Sequence, residues 1–130
     1  MYKFNPTPQQ IANIRKLISA LRTNGYPQSR GGLAGPNGFC CLGVACDVYR
    51  QETGMGNWST VGHMNVEKQI AWRYEIGNDH EIYYLPFQVM EHYGFTERNP
   101  LMLASQNDDG ATFKEIASFL EGVVHEYTNK

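Results

Sequence analysis

The spacing of apolar residues predicts a helix at each end of the chain. Thr7-Pro8-Gln9-Gln10 has the form of a capping box with proline at the first helical position, and apolar residues then recur at helical spacing until Gly25. This pattern predicts a helix from Pro8 to about Asn24. Thr112-Phe113-Lys114-Glu115 is a second capping box, and the amphipathic stretch behind it predicts a helix through Tyr127.

A buried helix and a short hairpin are predicted in the first half of the chain. From Cys40 to Arg50 apolar residues recur at helical spacing, and Gly54 marks the exit from that helix. The preceding stretch, residues 26–38, is rich in glycine, proline and polar residues, which are typical of turns. A short hairpin around Leu33 and Phe39 fits this composition.

A change of period after the second helix predicts a sheet. Apolar and polar residues alternate over 70–76, and residues 80–84 return as a second strand after a glycine-containing turn. The pattern predicts an antiparallel hairpin near 70–84. The stretch before it, from Gly54 to Glu67, is predicted to be a long loop that carries Trp58.

Shorter helices follow, and together the elements predict an α+β fold. Leu85-Pro86 starts a short helix that Gly94 closes, and Asn99-Pro100 offers another helix start. Asn107-Asp108-Asp109-Gly110 is predicted to be a turn. We therefore predict a single α+β domain over residues 1–130, in which a small antiparallel sheet packs with about four helices.

Composition and charge exclude several functional classes. The 130 residues are 42% hydrophobic and 12% aromatic, which is enough for a core and too much for a disordered chain. Eleven basic residues face thirteen acidic ones, and a net charge of −2 excludes general nucleic-acid binding through a broad cationic surface. The chain starts without a signal-peptide pattern, and its apolar runs are too short to cross a membrane.

Three cysteines within seven residues, Cys40, Cys41 and Cys46, indicate the compartment and offer the first candidate chemistry. Their odd number and close spacing favour reduced thiols in a cytoplasm over disulfides. A helix N-terminus would favour the thiolate of Cys40 or Cys41, and one of the four histidines would then serve as its base. Free cysteine is nevertheless among the most buried residue types, so we expect structural thiols and predict no catalytic residue.

The sequence offers little support for a metal or a cofactor. Neither C-x-x-C nor H-x-x-x-H spacing occurs, so we predict no metal site. Asp108 and Asp109 are candidates for a hard cation, but they directly precede a capped helix, where the helix dipole favours acidic residues. No phosphate-loop, dinucleotide or serine-hydrolase motif occurs, and no cofactor is predicted.

The cysteine segment also carries a family resemblance. Gly38-Phe39-Cys40-Cys41-Leu42-Gly43-Val44-Ala45-Cys46-Asp47 resembles the G-[FY]-C-C-L-G-V-x-C-D segment of small uncharacterised proteins from tailed bacteriophages and prophages. Those proteins also tend to have a leucine-proline helix start and an asparagine-proline pair, here Leu85-Pro86 and Asn99-Pro100. Their closing L-N-D-x-G-x-[ST]-F-x-E-I-A segment is similar to Gln106–Ala117, where Gln106 replaces the usual leucine.

This resemblance, which covers Arg30 to Leu120, implies a phage origin and an accessory protein that works in the host cytoplasm. It implies no activity, so the candidate site comes from the residues alone. A glycine-rich loop with exposed amides, an adjacent arginine and a helix start behind it is typical of an anion site, over which a tryptophan would stack on an attached base. The predicted ligand-binding residues are Arg30, Gly31, Gly32, Gly38 and Trp58.

These observations lead to a functional hypothesis with alternatives. We expect a non-enzymatic phage accessory protein that binds a host protein or sequesters a small anionic, nucleotide-derived defence signal. The alternatives are a cysteine-dependent enzyme that uses Cys40 or Cys41, and a structural or assembly subunit. Because the hairpin Ile70–Tyr84 would expose strand edges, we also expect a homo-oligomer, most simply a dimer.

Overall fold

Five helices and five strands make up the computed structural model, which describes residues 4–23, 25–64 and 70–129. The fold is α+β, as predicted, with one helix more than the four expected. The helices are α1 (Pro8–Thr23), α2 (Cys41–Thr53), α3 (Phe87–Tyr93), α4 (Arg98–Asp108) and α5 (Phe113–Thr128). The strands are β1 (Ala34–Gly35), β2 (Gly38–Phe39), β3 (Asn57–Met64), β4 (Ile70–Ile76) and β5 (Asp79–Glu81).

Both predicted capping boxes are formed. At the start of α1, the Gln10 amide nitrogen donates to the Thr7 hydroxyl (3.1 Å), and the Thr7 amide nitrogen donates to Gln10 Oε1 (2.8 Å). At the start of α5, Thr112 and Glu115 make the same exchange. The boxes satisfy amides that no carbonyl of the same helix reaches, which is why the sequence located both helix starts.

β4 lies in the middle of one antiparallel sheet. On one side it pairs with β3, where Thr60 lies opposite Trp72. On the other side it pairs with β1 and β5, where Ala34 lies opposite Trp72 and Glu81 opposite Tyr74. β2 continues the sheet beyond β1. The predicted hairpin is therefore confirmed as β4 and β5, although its second strand is shorter than expected.

The prediction of a loop over 54–67 is wrong for residues 57–64, which form β3. Residues 65–67 of that predicted loop lie outside the described part of the chain. Asparagine and glycine are uncommon in strands, so the local sequence of β3 gives little strand signal. The strand forms because β4 offers paired positions beside it, with Tyr74 opposite Trp58.

α2 lies at the centre of the core, where every residue from Cys41 to Tyr49 is buried. Helices α1, α3 and α4 pack around it, and α5 packs on α1 and α4. The sheet turns one face to this core. Tyr74 and Ile76 are buried there, whereas Arg73 and Glu75 on the opposite face are partly exposed. This one-sided burial is typical of an antiparallel sheet.

The predicted turn at Asn107-Asp108-Asp109-Gly110 begins later than expected. α4 continues through Asp108, and Asn107 is completely buried within it. The chain reverses at Asp109 and at Gly110, whose φ of +104° favours glycine. The turn preference of Asn107 is overridden because its side chain finds buried partners in other parts of the chain.

Candidate functional site

Two glycines of the cysteine segment allow close backbone contacts, Gly43 in α2 and Gly38 in β2. A Cβ atom on Gly43 would lie 1.8 Å from the carbonyl oxygen of Leu33, and one on Gly38 would lie 2.4 Å from the carbonyl oxygen of Pro27. Neither position has room for a side chain. Both glycines therefore have a packing role, because Gly43 lets the backbone at Leu33 lie against α2 and Gly38 lets β2 lie against Pro27.

The three thiols of the segment are buried and poorly suited to nucleophilic chemistry. Burial raises the pKa of the Cys40 thiol to about 11, and it also raises the pKa values of Cys41 and Cys46. Cys41 Sγ donates a hydrogen bond to the carbonyl oxygen of Leu103 at 3.4 Å. A nucleophilic cysteine needs thiolate character and access, and these cysteines have neither at neutral pH.

Asn107 joins the closing segment of the motif to the cysteine segment. Its Oδ1 accepts hydrogen bonds from the backbone nitrogen of Cys41 (3.2 Å) and from Gln28 Nε2 (3.0 Å). Its Nδ2 donates to the carbonyl oxygen of Ser29 at 2.9 Å. One buried amide thus caps α2 and fixes the loop before β1, a role that sequence reasoning missed because it assigned Asn107 to a turn.

Asp47, the last residue of the cysteine segment, has a similar structural role. Its carboxylate accepts hydrogen bonds from Tyr26 Oη (2.7 Å) and Trp58 Nε1 (3.0 Å), and also from Arg50 and Gln51. Burial alone would raise the pKa of Asp47, but these donors outweigh burial and lower it. Asp47 is therefore ionised at neutral pH and ties the loop before β1, α2 and β3 together.

Three of the five predicted ligand-binding residues line one shallow cleft. Arg30, Gly31 and Gly32 lie there together with Ala71 of β4 and Tyr83, which follows β5. The cleft encloses about 20 Å³, on the order of the space that one water molecule needs. Any larger ligand must therefore lie over this cleft rather than inside it.

Among the described residues that line the cleft, Arg30 is the only charged one, and a hydrogen bond to Asn107 holds its side chain. Its Nε donates to the carbonyl oxygen of Asn107 at 2.9 Å, while the residue as a whole is exposed. No carboxylate within residues 4–23, 25–64 and 70–129 forms an ion pair with it. Beside it, Tyr83 is 58% exposed. An anchored arginine next to an exposed aromatic ring is suited to hold an anionic group of a partner.

The other two predicted ligand-binding residues lie elsewhere. Gly38 is buried against Pro27. Trp58 lies in β3 rather than in a loop, and its indole nitrogen is bonded to Asp47. The expected helix N-terminus is also occupied, because the Cys41 amide donates to Asn107. The structure thus places Tyr83, and not Trp58, in the cleft that Arg30 lines.

The described ranges contain no cluster of three or more histidine, cysteine, aspartate or glutamate side chains arranged to hold a metal ion. Asp108 and Asp109, the acidic pair considered for a cation, are both exposed at the end of α4. Nor does this part of the chain contain a helix with the length and apolar character needed to span a bilayer.

Comparison with known proteins identifies one family. A family model described as a domain of unknown function (DUF8296) matches residues 9–124, which is most of the chain. No curated protein and no solved structure matches the chain. The matched range includes both the cysteine segment and the buried Asn107.

Proposed function

The chain belongs to the DUF8296 family, and we propose that this member is a phage-encoded, non-enzymatic accessory protein that binds a host protein in the host cytoplasm. The binding site in this proposal is the Arg30–Tyr83 surface, which consists of Arg30, Gly31, Gly32 and Tyr83. The phage origin and the compartment rest on the resemblance of the cysteine segment to bacteriophage proteins.

The observation that carries the proposal is the exposed Arg30, whose Nε is held by Asn107, in the same cleft as the exposed Tyr83. Because Nε is held by the Asn107 carbonyl oxygen, little side-chain entropy remains to be lost when the guanidinium meets a carboxylate. Arginine and tyrosine are also the residue types most often found at the energetic centres of protein interfaces. We therefore expect an acidic side chain of the partner to dock at Arg30 while an apolar group packs on Tyr83.

The shape of the surface favours a protein over a small molecule. Sites for small molecules are usually cavities of ~300–1,000 Å³ that bury most of the ligand, and the cleft at Arg30 encloses about 20 Å³. Tyr83 is itself 58% exposed, so its aromatic ring is available for contact with a macromolecular partner.

Site-specific crosslinking tests the proposal. A photoreactive phenylalanine analogue would replace Tyr83 in one variant and the exposed Glu126 of α5 in a control variant, each expressed in the host. We expect an adduct with one host protein from position 83 and none from position 126. Arg30→Ala should lower the adduct yield about tenfold, because a hydrogen bond to a charged group contributes about 1.5–3 kcal/mol.

The outcomes of this experiment are distinct. Arg30→Lys keeps the charge without the planar fork and should give an intermediate yield. A thermal melt of each variant shows whether it is folded. An adduct whose yield does not depend on Arg30 in folded protein contradicts the proposed site, and the absence of any adduct contradicts binding of a host protein through this surface.

A small anionic ligand is the second candidate, and the same guanidinium favours it. A phosphate that lies over the cleft would meet Arg30 and the backbone of Gly31, whose φ of +88° suits glycine. Calorimetry with a panel of linear and cyclic nucleotides, with Arg30→Ala as the matched variant, tests this candidate. Binding by the parent that Arg30→Ala abolishes would favour sequestration over a protein partner.

A further inference from the structure

Two strand edges of the sheet have no strand partner within the described part of the chain, the outer edge of β3 and that of the three-residue β5. The outer edge of β2 is covered, because Ser29 donates to the Phe39 carbonyl oxygen and Phe39 donates to the Pro27 carbonyl oxygen, both at 2.8 Å. The chain after β5 is also paired, since the Leu33 nitrogen donates to the Ile82 carbonyl oxygen at 2.7 Å. β3 pairs with β4 on its inner side, and no described strand pairs with its outer side.

This arrangement changes the physical reason for an oligomer. The sequence predicted a dimer because the hairpin of residues 70–84 would expose its own edges. In the structure both sides of β4 are occupied, by β3 on one side and by β1 and β5 on the other. The longest strand edge without a partner among the described residues belongs to β3, which has eight residues against three in β5.

β3 carries none of the side chains that normally keep an edge strand from pairing with another chain. Asn57–Met64 contains no lysine, arginine, aspartate, glutamate or proline in eight residues. Natural edge strands usually carry such residues, or a bulge, because they block intermolecular pairing. The register of β3 shifts only after Thr60, so Asn57–Thr60 is a regular strand with a free edge.

We infer that β3 pairs antiparallel with β3 of a second copy about a twofold axis, so that two sheets join into one. A strand without charges is self-complementary in this arrangement, since no like charges meet across the axis. Trp58, which is half-buried beside Tyr74, would gain cover from the second strand. This interface is independent of the proposed host partner.

A pair of opposite charges at Thr60 tests the interface. Thr60 is exposed near the middle of β3, so substitution there leaves the fold intact. Strand pairing alone buries less area than a stable interface needs, so the dimer should be weak. We therefore expect the parent to sediment as a dimer only at high micromolar concentration. Thr60→Lys and Thr60→Glu should each sediment as monomers at low salt, since two like charges would lie on opposite sides of the axis within one short paired segment.

An equimolar mixture of the two variants should recover the dimer, because the charges on the two sides of the axis are then opposite and attract each other. Ser105→Lys, an exposed substitution on α4, is the control and should dimerise like the parent. A parent that stays monomeric overturns the inference. Charged variants that still dimerise, or a mixture that stays monomeric, show that β3 is not the interface.

Discussion

Asn107 in α4 and Cys41 at the start of α2 are 66 positions apart in sequence, yet Asn107 Oδ1 lies 3.2 Å from the Cys41 backbone nitrogen. A side chain from another helix thus caps α2, because the residue before the helix makes no such cap of its own. This hydrogen bond connects the two segments that carry the resemblance to phage proteins. It gives those segments a structural explanation that does not involve catalysis.

Replacing Asn107 should therefore destabilise the protein strongly. Asn107→Ala leaves the Cys41 amide, Gln28 Nε2 and the Ser29 carbonyl oxygen without their buried partner. Each unsatisfied buried group costs about 1–3 kcal/mol, so we expect a loss of at least about 3 kcal/mol in urea denaturation. Asn129→Ala, at an exposed position, should change the free energy of unfolding by less than about 0.5 kcal/mol. Equal effects of the two substitutions would contradict the capping role.

Two glycine-to-alanine substitutions should have opposite effects. Gly43→Ala places a Cβ atom 1.8 Å from the Leu33 carbonyl oxygen, so α2 must move and the loss should reach about 3 kcal/mol or more. Gly122→Ala, in the exposed part of α5, meets no atom within 4 Å. There alanine should stabilise the protein by about 0.5–1 kcal/mol, since it is the better helix former. Thermal melts of both variants measure these effects. An unchanged melting temperature in Gly43→Ala would contradict the close backbone contact.

Replacement by serine should lower the free energy of unfolding by different amounts at Cys41 and Cys46. Cys46 is completely buried and makes no hydrogen bond through Sγ to the described residues, whereas Cys41 Sγ donates to Leu103. Cys46→Ser should thus cost about 1–3 kcal/mol by burying an unsatisfied hydroxyl, and Cys41→Ser should cost less. The free energies of unfolding in urea measure this order. Rapid alkylation of either thiol in the native protein would contradict its burial.

Asp47 should be sensitive to both substitution and acid. Asp47→Ala removes the acceptor of Tyr26, Trp58 and Arg50 and should cost about 3 kcal/mol, as for a broken buried ion pair. Because the pKa of Asp47 is lowered in the folded protein, its stabilising contribution is complete above its ordinary pKa and is lost as pH falls through the folded value. Asp109→Asn, at an exposed position, is the control for both measurements.

His92 should make the free energy of unfolding depend on pH at higher pH values than Asp47 does. Its Nε2 is buried without a hydrogen-bond partner among the described residues, and burial lowers its pKa below the ordinary value of 6.5 although Glu52, 3.9 Å away, opposes this shift. The unfolded chain therefore binds a proton more readily, so stability should fall as pH decreases below about 6.5. His92→Gln should flatten this dependence between about pH 7 and pH 5.5 in urea denaturation. An unchanged profile in His92→Gln would assign the dependence to other groups.

Much of the fold followed from local signals, as particular elements show. The capping boxes at Thr7 and Thr112 located α1 and α5, and the alternation over 70–76 located β4, because these patterns act within a few residues. β3 had no such signal, since its pairing depends on β4. Asn107 was assigned to a turn for the same reason, because the partners that hold it in α4 are distant in sequence.

For the candidate site, the sequence by itself determined the chemistry and only the tertiary structure decided the arrangement. Arg30 and its two glycines were identifiable because they adjoin in sequence, and the structure keeps them together in one cleft. Trp58 was assigned to that site from its aromatic character, but the buried carboxylate of Asp47 holds its indole nitrogen. Tyr83 took its place beside Arg30. The type of a residue determines what its side chain can bind. Packing between distant parts of the chain determines which side chains meet, and local sequence patterns do not predict that packing.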